Sequence, residues 1–136
     1  MNEITNMDNV VNDIIAIPDN YHKLNKSKYH LVIDSGYLNN YNQITEKVIL
    51  DALEKQPERV NEWVQWSEDQ RVSEGWFLRM DGDIWNVGAF STDDGYKETL
   101  TPYSDLRQAC AAFIKLEIEY SRELAASDIK KRKKKK

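Results

Sequence analysis

Residues 76–90 read WFLRMDGDIWNVGAF, and this stretch decides the fold class. Two alternating apolar runs flank Asp81-Gly82-Asp83, and a period of two on either side of a tight-turn signal predicts a β-hairpin. Trp76, Leu78 and Met80 take one face of the first strand and Arg79 the other, while Trp85, Val87 and Ala89 continue the inward side on its partner. A second turn signal at Ser91 to Gly95 leads into Tyr96-Lys97-Glu98-Thr99-Leu100, so the expected sheet is a small antiparallel meander of three to four strands.

Working outward from the hairpin, the flanking segments read as helices. Downstream, Ser104, or Thr101 with Pro102 behind it, is expected to cap a helix of about five turns. Its face carries Leu106, Ala109, Cys110, Phe113, Leu116, Tyr120 and Leu124. Upstream, Ile44, Val48, Ile49, Ala52 and Leu53 share a broad apolar face opposite Lys47, Asp51 and Glu54, which predicts a helix stopping near Gln56. Pro57 suits the first turn of a following helix in which Val60, Trp63 and Val64 align. Met7, Val10, Val11, Ile14, Ile15 and Ile17 form a further stripe over residues 5–17, with Thr5 and Asp8 spaced as a capping pair and Pro18 as the stop. Between these helices, residues 19–42 are poorly periodic. Tyr29, Leu31 and Ile33 alternate with His30 and Val32 before Asp34-Ser35-Gly36, which reads as a strand and a turn. The expected architecture is a single two-layer α+β domain, with several helices packed on the meander and the last helix laid across it.

The chain has 136 residues, 40% of them apolar, and one cysteine. A chain of that length buries roughly 68% of its unfolded surface and needs no disulfide framework, which a lone Cys110 excludes in any case. The net charge of −4 conceals a partition. Lys130 to Lys136, with Arg132 among them, is an unbroken run of seven cations, and every acid precedes it. Residues 1–129 hold 12 basic and 23 acidic side chains, a net charge of −11. Such a body repels polyphosphate and attracts cationic surfaces. The run at 130–136 is expected to be a disordered tail, either incidental to the domain or a contact for nucleic acid, anionic lipid or an import receptor. The opening MNEITNMDNV has neither a basic n-region nor an apolar h-region, and no run of 18 apolar residues exists. Export and membrane insertion are therefore not indicated, and the cytoplasm is the expected compartment.

Few residue patterns carry chemistry. Only His22 and His30 supply imidazoles, and no serine or cysteine lies in a nucleophile signature. Cys110 falls on an apolar helical stripe and reads as packing. Asp81-Gly82-Asp83 lacks the further oxygen ligands of a calcium loop and reads as a turn, and no cofactor is implied. Glu117 is the exception, since its helical angle places a carboxylate amid Leu106, Cys110, Phe113 and Tyr120. It is expected to be a structural acid satisfied by Arg79, by a Trp N–H or a Tyr O–H, or at a helix edge reaching water. The functional alternative is a general acid or a buried interface contact. Trp66, at the edge of its stripe, is the candidate exposed anchor for a partner. In the meander, the entry to the first strand and the turn after the second share one end. Glu68, Asp69 and Glu74 are therefore expected to approach Asp93 and Asp94, with Glu98 completing an acidic rim.

The Trp-rich hairpin WFLRMDGDIWNVGAF and the late helix SDLRQACAAFIKLEIEY, in a small acidic α+β layout, resemble the small immunity proteins of bacterial contact-dependent growth inhibition and polymorphic toxin systems. The resemblance spans roughly residues 44–124. It implies tight binding to one cognate toxin domain, often a basic nuclease, whose active site is covered or distorted. An acidic inhibitor facing a nucleic-acid-binding cleft fits that expectation electrostatically. Two other classes stay open: a nucleic-acid-associated accessory protein acting through the tail, and a small enzyme using Glu117 or the Asp81 and Asp83 carboxylates.

Overall fold

A computed structural model describes residues 2–69, 75–91 and 97–134, and within them the side chains of 8–67, 77–80, 82–88 and 101–127. Seven helices and three strands follow one another in these residues. Helix α1 (Asn2–Ile15) buries the predicted stripe of Val10, Val11, Ile14 and Ile15. Its backbone is already helical at Thr5, so Thr5 and Asp8 are not its capping pair.

Residues 19–42 depart furthest from expectation, being helical rather than extended. The first helix does end just before Pro18, at Ile15, but Pro18 also occupies the first turn of a new helix, α2 (Ile17–Leu24), where a missing amide hydrogen costs no bond. Asn25, at φ +53°, closes that helix in the left-handed conformation. Ser27 then accepts a hydrogen bond from the His30 amide at 3.2 Å and starts α3 (Lys28–Ser35). The buried Leu31, Val32 and Ser35 have the spacing of one helix face, and this outweighs the local alternation that suggested a strand. Gly36, at φ +89°, ends α3 by donating its amide to the Ile33 carbonyl and leads straight into the single turn α4 (Tyr37–Asn40).

Helix α5 (Glu46–Lys55) is capped by Thr45 Oγ1, which accepts from the Val48 amide at 3.3 Å, and it stops at Gln56 as predicted. Helix α6 (Glu58–Asp69) begins directly after Pro57 and buries Val60, Trp63 and Trp66. The meander follows as β1 (Gly75–Asp81), β2 (Ile84–Ser91) and β3 (Lys97–Tyr103), in the order β1-β2-β3 and antiparallel throughout. Asp81 pairs with Ile84 across the two-residue turn Gly82-Asp83, and Gly82 takes φ +67°, the conformation such a turn requires. Leu78 and Val87 are cross-strand partners and are buried, whereas Met80 is 54% exposed and does not join the core. The hydroxyl of Ser67 accepts from the Leu78 amide at 2.8 Å and donates to the Leu78 carbonyl at 3.2 Å. It thereby satisfies β1 on the edge that faces away from β2.

Helix α7 (Leu106–Lys134) is the spine. Asp105, not Ser104 or Thr101, caps it: its carboxylate accepts from the Arg107 amide at 3.4 Å and its carbonyl from the Ala109 amide at 3.1 Å. At about 1.5 Å per residue its 29 residues span some 44 Å, not five turns. No glycine or proline interrupts residues 106–134, so the helix continues into the basic run rather than stopping before it. It packs against α3, α4, α5, α6 and all three strands, with α1 covering α3, α4 and α5. The result is a small α+β single domain with one continuous apolar core.

Candidate functional site

The helical stripe of α7 decides which polar groups are forced into the interior. Ala109 to Ile114 are all buried, followed by Glu117, Ile118, Ser121 and Ala125. This stripe is rotated relative to the expected one, leaving Tyr120 and Leu124 exposed at 47% and 40%. Glu117 does sit on the inner face, at 4% exposure. Its partner is none of those anticipated. Lys28, at the start of α3, donates to Glu117 Oε2 at 3.0 Å, and the same ammonium lies 5.3 Å from the centre of the Tyr120 ring. A buried carboxylate without a counter-charge is too costly to keep ionised, so Lys28 is what Glu117 requires.

On the other flank of α7 lies a polar cluster that the sequence reading does not single out. Lys115 Nζ donates to the Tyr37 hydroxyl and to the Ile44 carbonyl, each at 2.7 Å, and reaches the Tyr41 carbonyl at 3.4 Å. The Tyr37 hydroxyl in turn donates to Glu119 Oε2. Arg122 grips the same carboxylate with Nε and a terminal nitrogen, both at 2.9 Å, while its guanidinium lies 4.1 Å from the Tyr41 ring centre. The bidentate Arg122 contact, helped by Tyr37 and Lys115, holds the Glu119 carboxyl below its usual range. Burial, with the neighbouring Glu119 charge, pushes the Tyr37 phenol up. Burial also pulls the Lys115 ammonium down, against the opposing pull of Glu119. With its three hydrogens directed at three oxygens, Lys115 clamps the stretch between α4 and α5 onto α7. The signal in the sequence was the spacing Lys115, Glu119, Arg122, which places alternating charges on one side of a helix.

The remaining sequence candidates fall as follows. Trp66 is not an exposed anchor: it is 7% exposed and packs edge-on to Tyr21 at 5.2 Å and to Trp63 at 6.0 Å. Broadening the stripe of α6 by one position brings it into the core. Among the described residues its Nε1 has no hydrogen-bond partner. Glu68 and Asp69 close α6 and Glu98 lies in β3 opposite Phe90, but their side chains are outside the described set. Glu74, Asp93 and Asp94 lie outside the described residues altogether. At the level of backbone register, Gly75 pairs with Phe90 and Ser91 with Lys97. The entry to β1 and the β2–β3 connection therefore share one end of the sheet, and Asp81 and Asp83 belong to the other. Cys110 is buried, and that burial raises its thiol to about 12, so it remains protonated at neutral pH. His30 is engaged with Ser27 through Nδ1 at 2.8 Å. Among the described residues, no group of three or more His, Cys, Asp or Glu side chains is placed to hold a metal ion, and no helix is long and apolar enough to cross a membrane.

Set against protein-family models, curated proteins and solved structures, the chain matches none.

Proposed function

We propose that this chain is a cytoplasmic immunity protein that binds a cognate toxin domain through an acidic surface and neutralises it. The toxin would be a basic nuclease whose active site is covered or distorted. The observation that carries the reading is the charge partition, with a net −11 over residues 1–129. A cationic cleft that evolved to hold a phosphate backbone is the surface such a body attracts most strongly, and attraction of this kind raises association rates and suppresses wrong partners. The engagement of the buried Glu117 with Lys28, and of the half-buried Glu119 with Arg122, in structural pairs is consistent with a binding module. So are exposed acids on three packed helices: Asp8 and Asp13 on α1, Asp51 and Glu54 on α5, and Glu58 on α6.

The test is kinetic. The chain is co-expressed with the product of the adjacent reading frame, and association and dissociation rates are measured at low and moderate salt. The expected result is a salt-sensitive complex in which charge reversal of Asp93 and Asp94 together slows association more than it speeds dissociation. Unchanged kinetics at low salt would remove the rim of Glu68, Asp69, Glu74, Asp93, Asp94 and Glu98 from the interface. Absence of any complex would sink the inhibitor reading.

A further inference from the structure

The acidic body and the basic run ought to attract one another, and α7 is what separates them. The helix leaves the core after Ala125, which is 5% exposed, and both Ala126 and Ser127 are exposed. It nevertheless continues for nine residues past Ala125, to Lys134, about 13 Å at the rise of an α-helix. A flexible tail of the same composition would fold back onto a surface of net −11. A helical one carries its first cation about 7 Å beyond Ala125, close to the screening length of about 8 Å at physiological ionic strength.

The positions of those cations define a ligand. Consecutive positions on an α-helix are 100° apart, so the five consecutive basic positions Lys130 to Lys134 take every direction about the axis. Like charges three and four residues apart repel along such a helix, and a polyanion relieves that repulsion. A lipid surface meets only one side of a helix and favours an apolar stripe, whereas Ile129 is the lone apolar residue between Asp128 and Lys134. The major groove of B-form DNA presents phosphates on both walls and is wide enough to admit an α-helix. The corresponding groove of double-stranded RNA is too narrow. We infer that the end of α7 is a rigid cationic arm that docks in the major groove of duplex DNA, without sequence preference, while the acidic body is held off the phosphates. This activity is separate from the acidic binding surface and does not depend on the identity of a toxin.

The experiment uses the full chain and fluorescence anisotropy on a random-sequence DNA duplex of about two turns. The matching RNA duplex and vesicles containing phosphatidylserine are measured alongside, with salt varied between about 50 and 200 mM. DNA binding is expected, with log K falling against log salt with a slope of about −4.5 to −6.3, as five to seven neutralised phosphates require. Ser127→Pro keeps all seven cations but breaks the helix beyond the last buried residue. It is expected to weaken DNA binding at least tenfold while leaving the tryptophan fluorescence of the folded body unchanged. Equal affinity of Ser127→Pro and the parent chain would overturn the inference, because charge alone would then suffice. Tighter binding to RNA duplex or to vesicles than to DNA would overturn it as well, as would no DNA binding at low salt.

Discussion

The two halves of the buried face of α7 solve the same packing problem by different means. From Ala109 to Ile114 the helix meets a dry surface, where Phe113 packs edge-on to Trp63 at 6.1 Å and the only nearby polar atom of Trp63, Nε1, donates to the Ile15 carbonyl at 2.9 Å. From Lys115 to Arg122 the buried Ile118 is flanked by polar and ionic contacts: Lys28 with Glu117 on one side, and Tyr37, Lys115, Glu119 and Arg122 on the other. In the dry half, free energy comes from apolar area and shape, and any hydrophobic group of the right volume contributes. In the wet half, each group is needed chiefly to neutralise another, so its value depends on its partner being present.

That difference is open to direct attack, beginning at the dry end. Trp63→Ala removes the largest fully buried side chain among the described residues, leaves a cavity and orphans the carbonyl that closes α1. It should destabilise the domain by about 3–5 kcal/mol in urea unfolding. A loss below about 1 kcal/mol would mean that the dry half is not the main support of the fold. At the ionic half, Lys28→Met should cost about 3 kcal/mol, because Glu117 is left buried without a counter-charge. The double variant Lys28→Met, Glu117→Leu should recover to within about 1.5 kcal/mol of the parent. Additive losses in that cycle would contradict the mutual dependence claimed for the pair.

The smallest expected effect is in pH dependence. Because Arg122 holds the folded Glu119 carboxyl below its ordinary value of 4.5, the folded state binds fewer protons at this site than the unfolded chain. The stabilisation is fully present above the ordinary carboxylate value and is lost as pH falls through the depressed one. Glu119→Gln should therefore flatten the acid limb of a stability–pH curve below about pH 4.5, with a small loss of stability at pH 7 that vanishes towards the acid end, where the parent's carboxyl is protonated too. Parallel acid limbs for the two proteins would place the proton-linked contact elsewhere.

The same contrast explains how far the fold was legible in the sequence. The hairpin, the meander order and the helix over 46–55 rest on local period and turn chemistry, and each stands where the residues placed it. Residues 19–42 failed because Pro18 was read only as the stop of one helix and not also as the start of the next, and because a local alternation outweighed Ser27 and Gly36, which already marked the two ends of α3. The oddity of Glu117 was visible as a charge in an apolar stripe, but Lys28 stands 89 residues away. Lys115 finds the Tyr37 hydroxyl across 78 residues. No period encodes such pairs; only the folded chain brings them together. Trp66 was misplaced for a related reason, since one position at the margin of a stripe turns inward or outward according to what α2 lays over it.

One small contact has a bearing on how molecules of this protein behave in a crowd. A strand arriving from a neighbouring molecule at β1 would find the Leu78 amide and carbonyl already occupied by Ser67. On β3, Pro102 has no amide hydrogen to offer any neighbour. The sheet is short and interrupted at both margins, so it is a poor template for cross-β polymerisation even at high protein concentration.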